Sequence, residues 1–449
     1  MLKRLLLSVK THELSRGMKA NSHYFKKNLF FYKKTKLFVK TNIFIYVMKQ
    51  IYRTYKFRIY PNKEQQNILA RYFGSVRFVY NHFLAERKQQ YEKTQHSDNY
   101  YKQAKSLTEL KKQEEYSWLK EINSQTLQHA LRHLETAYVN FFRGTAKFPN
   151  FKSKKDKNSF SVPQNCSLNS GRIYIPKFKE GIRVKEHRKV KGLIKSMTIS
   201  LTPAGKYYVS ILSKENYKAI DKTGKVVGID LGLKDFVITS DGKKYKNHRY
   251  LKQYEKELAT AQRHLSRKQH GSNSYEKQRR KVARIYEKIS NCRTDRQHKV
   301  SLDLVRNYDI ICLEDLYIKG MVKNHRLAKA INDASWGQFV SMLSYKAELN
   351  NKQVVKIDRW YPSSKTCHNC GWVNEGLKLS DRQWVCPHCG EVIDRDVNAA
   401  KNILSEGLRN ISAGHVDYTD GDRVRLSDEH RSVKSGGSPR FNRGSLCHC

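Results

Sequence analysis

Apolar and basic residues alternate along Gln50 to Tyr60 (QIYRTYKFRIY), the two-residue period of a half-buried strand, and Pro61 ends the run. The period then changes to three and four. Ile68, Leu69, Tyr72, Phe73 and Val76 share one helical face. Asn62 followed by Gln65 supplies the helix start, because the Asn side chain accepts from free backbone N–H groups while Gln reaches back. Ser106 and Glu109 repeat that capping pattern, and Leu127, Ala130, Leu131, Leu134, Ala137 and Phe141 resume the helical spacing. The pattern predicts a helical module over residues 63–145.

Short alternating runs return after Lys147: GRIYIPKF (171–178), SMTISLT (196–202) and KYYVSIL (206–212), the last two joined by the turn Pro203-Ala204-Gly205. They predict a small β-domain that also takes in the 50–60 strand, with the helical module inserted between strands. A third region opens with KVVGIDLG (225–232), an apolar strand carrying Asp230, then DFVITSDGKKY (235–245), with a turn at Asp241-Gly242. Two basic helical stretches follow, about 250–269 and 275–290. YDIICLEDL (308–316) is a second buried strand, ending on Glu314. A helix over 335–350, with Trp336, Phe339, Val340 and Leu343 on one stripe, precedes the strand QVVKI (353–357). The polar, aperiodic stretch after residue 409 is expected to be disordered. The first 47 residues, Lys-rich with Glu13 as their one acid, are expected to be an extension without its own fold.

A chain of 449 residues exceeds what a single core usually accommodates, so several domains are expected. Charge narrows the partners. Lys plus Arg number 87 against 41 Asp plus Glu, a formal net charge of +46, which repels itself unless a polyanion neutralises it. Nucleic acid fits better than an anionic membrane surface. The stretch KFPNFKSKKDKNSF (147–160) interleaves aromatics with Lys152, Lys154 and Lys155, a composition suited to phosphate contact and base stacking. No apolar run is long enough to span a membrane, the nearest being NIFIYVM at 42–48. No secretory cleavage site is evident, and a cytoplasmic protein is expected.

Nine cysteines occur, but Cys166, Cys292 and Cys312 are scattered singly, which is not a disulfide framework, and the terminal Cys447-His448-Cys449 is assigned no role. Cys367, Cys370, Cys386 and Cys389 differ. Two C-x2-C pairs separated by fifteen residues have the spacing of a four-cysteine zinc ribbon, with all four coordination positions filled and the metal therefore structural. His368 and His388 lie inside the knuckles and are expected at the surface.

Asp230 and Glu314 each close an apolar strand, and Asp396 opens an Ala-Ala helix (DVNAAKNIL) whose small face can lie close on a sheet. Gathered together, three carboxylates would repel one another unless divalent cations neutralised them, and oxygen ligands select Mg2+ or Mn2+ over zinc. A pair of such ions activates water and stabilises the leaving oxygen in phosphodiester hydrolysis. Simpler roles compete: Asp230 as a turn residue, Glu314 as a surface acid, Asp396 as a helix N-cap. Asp394, Asp315 and Asp235 are alternative acids.

Taken together, GIDLGLKDF (228–236), LEDL (313–316), INDASWGQF (331–339), YPSSKTCHNCG (361–371), WVCPHCG (384–390) and DRDVNAAKNI (394–403) resemble the TnpB (OrfB) proteins of insertion sequences, relatives of type V CRISPR effectors. YKFRIYPNKEQ (55–65), GSVRFVYNHFLAER (74–87), SWL (117–119) and LETAYVNFF (134–142) extend the resemblance over nearly all of 48–405. It implies an α+β multidomain protein: an RNase H-like RuvC nuclease domain with an inserted four-cysteine zinc ribbon, a β-barrel wedge domain and a helical recognition domain. The implied boundaries are 48–62 and 147–222 for the wedge, 63–146 for recognition, 223–363 and 393–408 for the nuclease, and 364–392 for the ribbon. Residues 1–47 and 409–449 are left as extension and tail.

The resemblance further implies an Mg2+-dependent, RNA-guided DNA endonuclease, with a guide RNA from the transposon end and target double-stranded DNA as partners. Its acids are Asp230, Glu314 and Asp396, which makes Asp394 a neighbour and leaves Arg395 facing phosphate. Gln128, on the recognition module, is a candidate adenine reader. Two other functions compete: a zinc-ribbon nucleic-acid-binding protein or transposase accessory factor without cleavage activity, and a strand-exchange transposase.

Overall fold

The computed structural model describes residues 49–378 and 380–414. The expected N-terminal extension, nearly all of the expected tail and Cys447-His448-Cys449 lie outside the described residues.

Strand β1 (Lys49–Tyr60) buries Ile51, Tyr55, Phe57 and Ile59 on alternate positions. It belongs to an antiparallel sheet with β2 (Asn158–Val162), β3 (Ser167–Asn169), β4 (Arg172–Tyr174), β5 (Ile182–Lys185), β6 (Leu193–Leu201) and β7 (Tyr207–Tyr217), in the order β2-β6-β7-β1-β5-β4-β3. β1 pairs with β7 from Lys49↔Tyr217 to Ile59↔Tyr207, across the helical segment and the strands that intervene in sequence. The sheet curls, since Phe160 on β2 and Ile173 on β4, from opposite ends of that order, share one core. Among the described residues β2 and β3 do not pair, so the ladder of this curled sheet is open at that seam.

Helix α1 (Lys63–Thr94) begins with the reciprocal cap: Asn62 Oδ1 accepts from Gln65 N at 2.8 Å, and Gln65 Oε1 accepts from Asn62 N at 3.1 Å. Its Tyr72 and Phe73 pack on Phe160, with ring centroids 4.8 and 5.4 Å away, locking helix to sheet. The second expected cap is not used. Helix α2 (Tyr100–Leu110) starts at Asn99, whose Oδ1 accepts from Lys102 N at 3.1 Å. Ser106 sits inside that helix, donating to the Lys102 carbonyl at 3.2 Å, because an earlier Asn offered the stronger cap. A 3₁₀ segment, Glu114–Glu121, leads to α3 (Ser124–Phe142).

The second sheet runs β10-β9-β8-β11-β12, from β8 (Val226–Asp230), β9 (Asp235–Thr239), β10 (Lys244–Lys246), β11 (Ile310–Glu314) and β12 (Gln353–Ile357). β8, β11 and β12 are parallel, with Ile310↔Val226 and Glu314↔Ile357 in register. Helices α4 (Tyr250–Gln253), α5 (Glu255–Ser266) and α6 (Asn273–Asn307) follow β10. α6 runs seventeen residues past the expected stretch because Val300, Leu304 and Val305 on its far half enter the sheet's core. Their spacing was masked by the polar residues between them. Helices α7 (Ile318–Met321), α8 (His325–Ala334) and α9 (Trp336–Leu349) come next, and Phe339 of α9 meets Phe236 edge-on at 4.9 Å.

A two-stranded ribbon, β13 (Gln383–Val385) and β14 (Val392–Asp394), leads into α10 (Arg395–Ser412), which continues four residues beyond the expected start of the disordered tail. The sheet is layered. Val227, Ile229, Ile311 and Leu313 face α6 and α9, while Cys312, Val355 and Ile357 face Ile403 of α10. Small residues bring α10 close: a Cβ on Gly228 would lie 2.0 Å from the Ala400 carbonyl oxygen, and one on Gly407 would lie 2.4 Å from Cys312 Sγ.

Candidate functional site

Strand alternation aims the acids. On β8, Val227 and Ile229 point to the α6 side, so Gly228 and Asp230 point toward α10. On β11 the same two-residue period turns Cys312 and Glu314 toward α10. Asp396 stands in the first turn of that helix. All three acids are half-buried. Asp230 is pushed up to about 7 by burial first, then by the negative charges of Glu314 and Asp396, against the opposing Leu231 amide and Arg395. Burial also raises Glu314, whose carboxylate accepts a hydrogen bond from the Ser363 hydroxyl. Asp396 pairs with Arg382 at 3.3 Å.

Neighbouring acids are engaged elsewhere. Asp394 caps α10, its Oδ1 accepting from the amides of Asp396 and Val397 at 3.1 Å each, and pairs with Lys244 at 2.7 Å. Asp396 is therefore relieved of capping. Asp315 is held by Arg359 and by Lys356.

The cysteines converge independently of the acids. Cys367 Sγ lies 3.7 Å from Cys389 Sγ, and Cys370 Sγ lies 3.6 Å from Cys386 Sγ. A tetrahedron with Zn–S bonds of about 2.3 Å has S···S edges of roughly 3.8 Å, so the donor set fits zinc. Each knuckle closes on a glycine: Gly371 N donates to Cys367 O at 2.9 Å and Gly390 N to Cys386 O at 2.8 Å, with φ of 78° and 72° that other residues rarely adopt. Among the described residues, these cysteines form the one cluster of His, Cys, Asp or Glu tight enough to hold an ion as it stands. Asp230, Glu314 and Asp396 do not form such a cluster as they stand; Glu314 and Asp396 act on Asp230 through their charge.

Asn398 and Asn402, both buried on α10, join the two centres. Asn398 Oδ1 accepts from His368 N at 2.9 Å and its Nδ2 donates to Thr366 O at 2.7 Å. Asn402 Nδ2 donates to Ser363 O at 2.8 Å and to Thr366 O at 2.6 Å. The His368 ring, expected to be a plain surface group, has Nδ1 3.2 Å from Asn402 Oδ1. The first knuckle is thus bonded to the helix carrying Asp396 and to the loop whose Ser363 holds Glu314. Sequence reading passed over both asparagines, although their i, i+4 spacing on an Ala-rich stripe is the available signal: two amides on a buried face need partners.

A 372-residue alignment to a Streptomyces pristinaespiralis protein named "Putative RNA-guided DNA endonuclease" gives 40% identity over 82% of this chain and 92% of that one. The chain belongs to the TnpB (OrfB) family. Escherichia coli K12 carries a TnpB relative, "Putative RNA-guided DNA endonuclease InsQ", 33% identical over 82% of this chain and 95% of its own length. Three domain families match in order: "Helix-turn-helix domain" at 48–96, "Probable transposase" at 209–325 and "Cas12f1-like, TNB domain" at 336–403. In this TnpB chain the first of these regions folds as β1 followed by one continuous 32-residue helix. The cryo-EM structure of a Cas12f1-sgRNA-target DNA complex shares the fold, with a TM-score of 0.50 at 13% identity over 79% of this chain and 99% of that one.

The basic residues singled out earlier have unequal surroundings. Lys154 and Lys155 are exposed. Lys152 is turned inward, its Nζ 3.6 Å from the centre of the Tyr80 ring, and burial lowers its pKa. Arg395 donates to the carbonyls of Lys378 and Asp381 at 3.0 and 3.4 Å, tying α10 to the ribbon. Gln128 is half-buried on α3. Among the described residues no helix is long and apolar enough to cross a membrane.

Proposed function

We propose that this TnpB-family chain is an RNA-guided DNA endonuclease whose RuvC-like site cuts target DNA with Mg2+ held by Asp230, Glu314 and Asp396. One observation carries the reading: Asp230 and Glu314 end adjacent parallel strands and face the helix whose first turn holds Asp396, and burial with the two other acids raises Asp230, a crowding that a bound cation would relieve. Oxygen-only donors suit Mg2+, and the fit is to carboxylates that face one helix from two adjacent parallel strands. When bound, such ions supply water activation and stabilise the leaving oxygen of a phosphodiester.

The chain's own residues do the rest. Ser363 orients the Glu314 carboxylate, and Asn402 fixes Ser363 through its carbonyl. Arg382 and Arg395 set positive charge beside the acids, where a phosphate backbone would lie. Cys367, Cys370, Cys386 and Cys389 would hold a zinc ion that keeps the knuckle folded against α10 and takes no part in the reaction. The 48–62 and 147–222 segments serve as the wedge, 63–146 as recognition module, and 223–363 with 393–408 as the nuclease around the 364–392 ribbon. The charge of +46 is matched to a guide RNA and target duplex, with Lys154 and Lys155 offered to phosphate.

The test is purified ribonucleoprotein incubated with Mg2+ and a plasmid carrying a guide-matched target beside a randomised flank. Linear product is expected, with Asp230→Ala, Glu314→Ala and Asp396→Ala each abolishing it while RNA binding persists. Cutting at the parental rate by all three variants would overturn the site, and the absence of a discrete co-purifying RNA would overturn the guide.

A further inference from the structure

The turn that follows β12 carries an indole that nothing in the fold uses. Trp360 is 84% exposed, whereas its neighbour Tyr361 is half-buried against the core beneath α10. Among the described residues no aromatic ring or cation packs on the Trp360 ring. Its backbone is fixed all the same: Trp360 N donates to Asp358 Oδ1 at 2.7 Å, Tyr361 N to Asp358 O at 3.4 Å, and Ser363 N to Tyr361 O at 2.8 Å.

Both flanks of Trp360 are tied to the segment that contains Glu314. Ile357 is in register with Glu314, and Ser363 donates to its carboxylate. Arg359 donates to the Asp315 carbonyl at 3.1 Å, pairs with its carboxylate, and lays its guanidinium 5.2 Å from the centre of the Tyr317 ring. Tyr317 is itself 51% exposed. An aromatic side chain on a rigid turn, adjoining a cation-covered ring, stands within a few residues of two tie points to the acidic centre.

We propose that Trp360, flanked by Arg359 and Tyr317, is a stacking platform that seats an unpaired nucleobase of a DNA single strand next to the carboxylates. The inference rests on the nuclease reading and adds a positioning residue to it. An indole offers its π-face to any base, so the platform is indifferent to sequence. Duplex DNA hides its base faces, which leaves a single strand as the fitting partner. Charge agrees, because exposed Lys319 and Lys323 lie on the same segment and suit the phosphates of the strand. Trp360 is a positioning residue: it touches no reacting phosphate and acts by fixing where the backbone lies.

The experiment uses full-length ribonucleoprotein in an Asp230→Ala background, so that DNA is bound and not cut. The probe is a single-stranded oligodeoxynucleotide containing 2-aminopurine, whose emission is quenched by stacking. Binding is expected to quench the probe. Trp360→Ala should restore the emission and weaken binding about tenfold, and Trp360→Leu should behave the same. Trp360→Phe should retain most of both. Thermal unfolding should be unchanged throughout, since the side chain is exposed. With Asp230 intact, Trp360→Ala should raise KM for single-stranded DNA about tenfold with kcat near parental. Equal quenching and affinity in Trp360→Ala, or a loss confined to duplex DNA or to a protein partner, overturns the platform. Failure of the Asp230-intact protein to cut is a separate result that overturns the nuclease reading, because the quenching assay requires no cleavage.

Discussion

Asn402 donates its side-chain N–H to the carbonyl oxygen of Ser363 at 2.8 Å, and the hydroxyl of the same serine holds Glu314. A helix amide thereby sets the position of a strand-end carboxylate 88 residues earlier in the chain.

Replacing Asn402 by Ala should leave the buried Ser363 carbonyl without its donor and cost about 1–3 kcal/mol. The four cysteines are untouched, so zinc content measured by elemental analysis should stay at the parental value. Chemical unfolding should shift and cleavage should fall. Parental stability together with parental cleavage would remove Asn402 from the account.

Gly228→Ala puts a methyl group 2.0 Å from the Ala400 carbonyl oxygen, a contact with backbone that α10 can relieve only by lifting from the sheet. A loss of about 1–3 kcal/mol is expected, with cleavage falling further than stability because Asp396 moves with the helix. A urea melt checks the first part and a plasmid assay the second. An unshifted midpoint would show that the close approach carries no strain.

Asp230 gives a pH dependence whose sign is set by its raised pKa. Below about 3.8 the carboxyl is protonated in folded and unfolded chains alike, and no difference arises. Between 3.8 and about 7 the native state binds the proton more tightly, so stability falls as pH rises through that window and then levels off. Metal-free protein should show this as a declining melting temperature, and Asp230→Asn should flatten the decline. Added Mg2+ should recover the lost stability at pH 7.5, because a bound cation favours the ionised group. A flat parental profile would mean that Asp230 is not raised.

Zinc removal should act through folding. Cys386→Ser, or treatment with a chelator, is expected to open the 364–392 segment to limited proteolysis and to lower cleavage, while nucleic-acid binding elsewhere on the chain continues. Intact protease resistance after verified zinc loss would separate the knuckle from the stability of α10.

Much of this architecture was readable locally. The Asn62–Gln65 cap, the alternation of β1 and the bounds of QVVKI depend on neighbours a few residues apart, and the fold uses all three. Where local signals competed, reading faltered. Ser106 and Glu109 looked like a cap until Asn99 took the role, and the far half of α6 hid three buried apolar residues within a highly charged stretch.

Residue order alone established the longest strands and helices, the strong positive charge and the four cysteines with ligand spacing, because each is a property of composition or of a short stretch. Folding supplied the rest: the parallel pairing that turns Asp230 and Glu314 to one face, the glycine gap that admits α10, the cap that Asp394 takes from Asp396, and the asparagine bonds from knuckle to helix. Apart from the Asp394 cap, these contacts join positions from 30 residues apart, His368 to Asn398, to 172 apart, Gly228 to Ala400. Their geometry is set by how layers pack, and no periodicity along the chain encodes it.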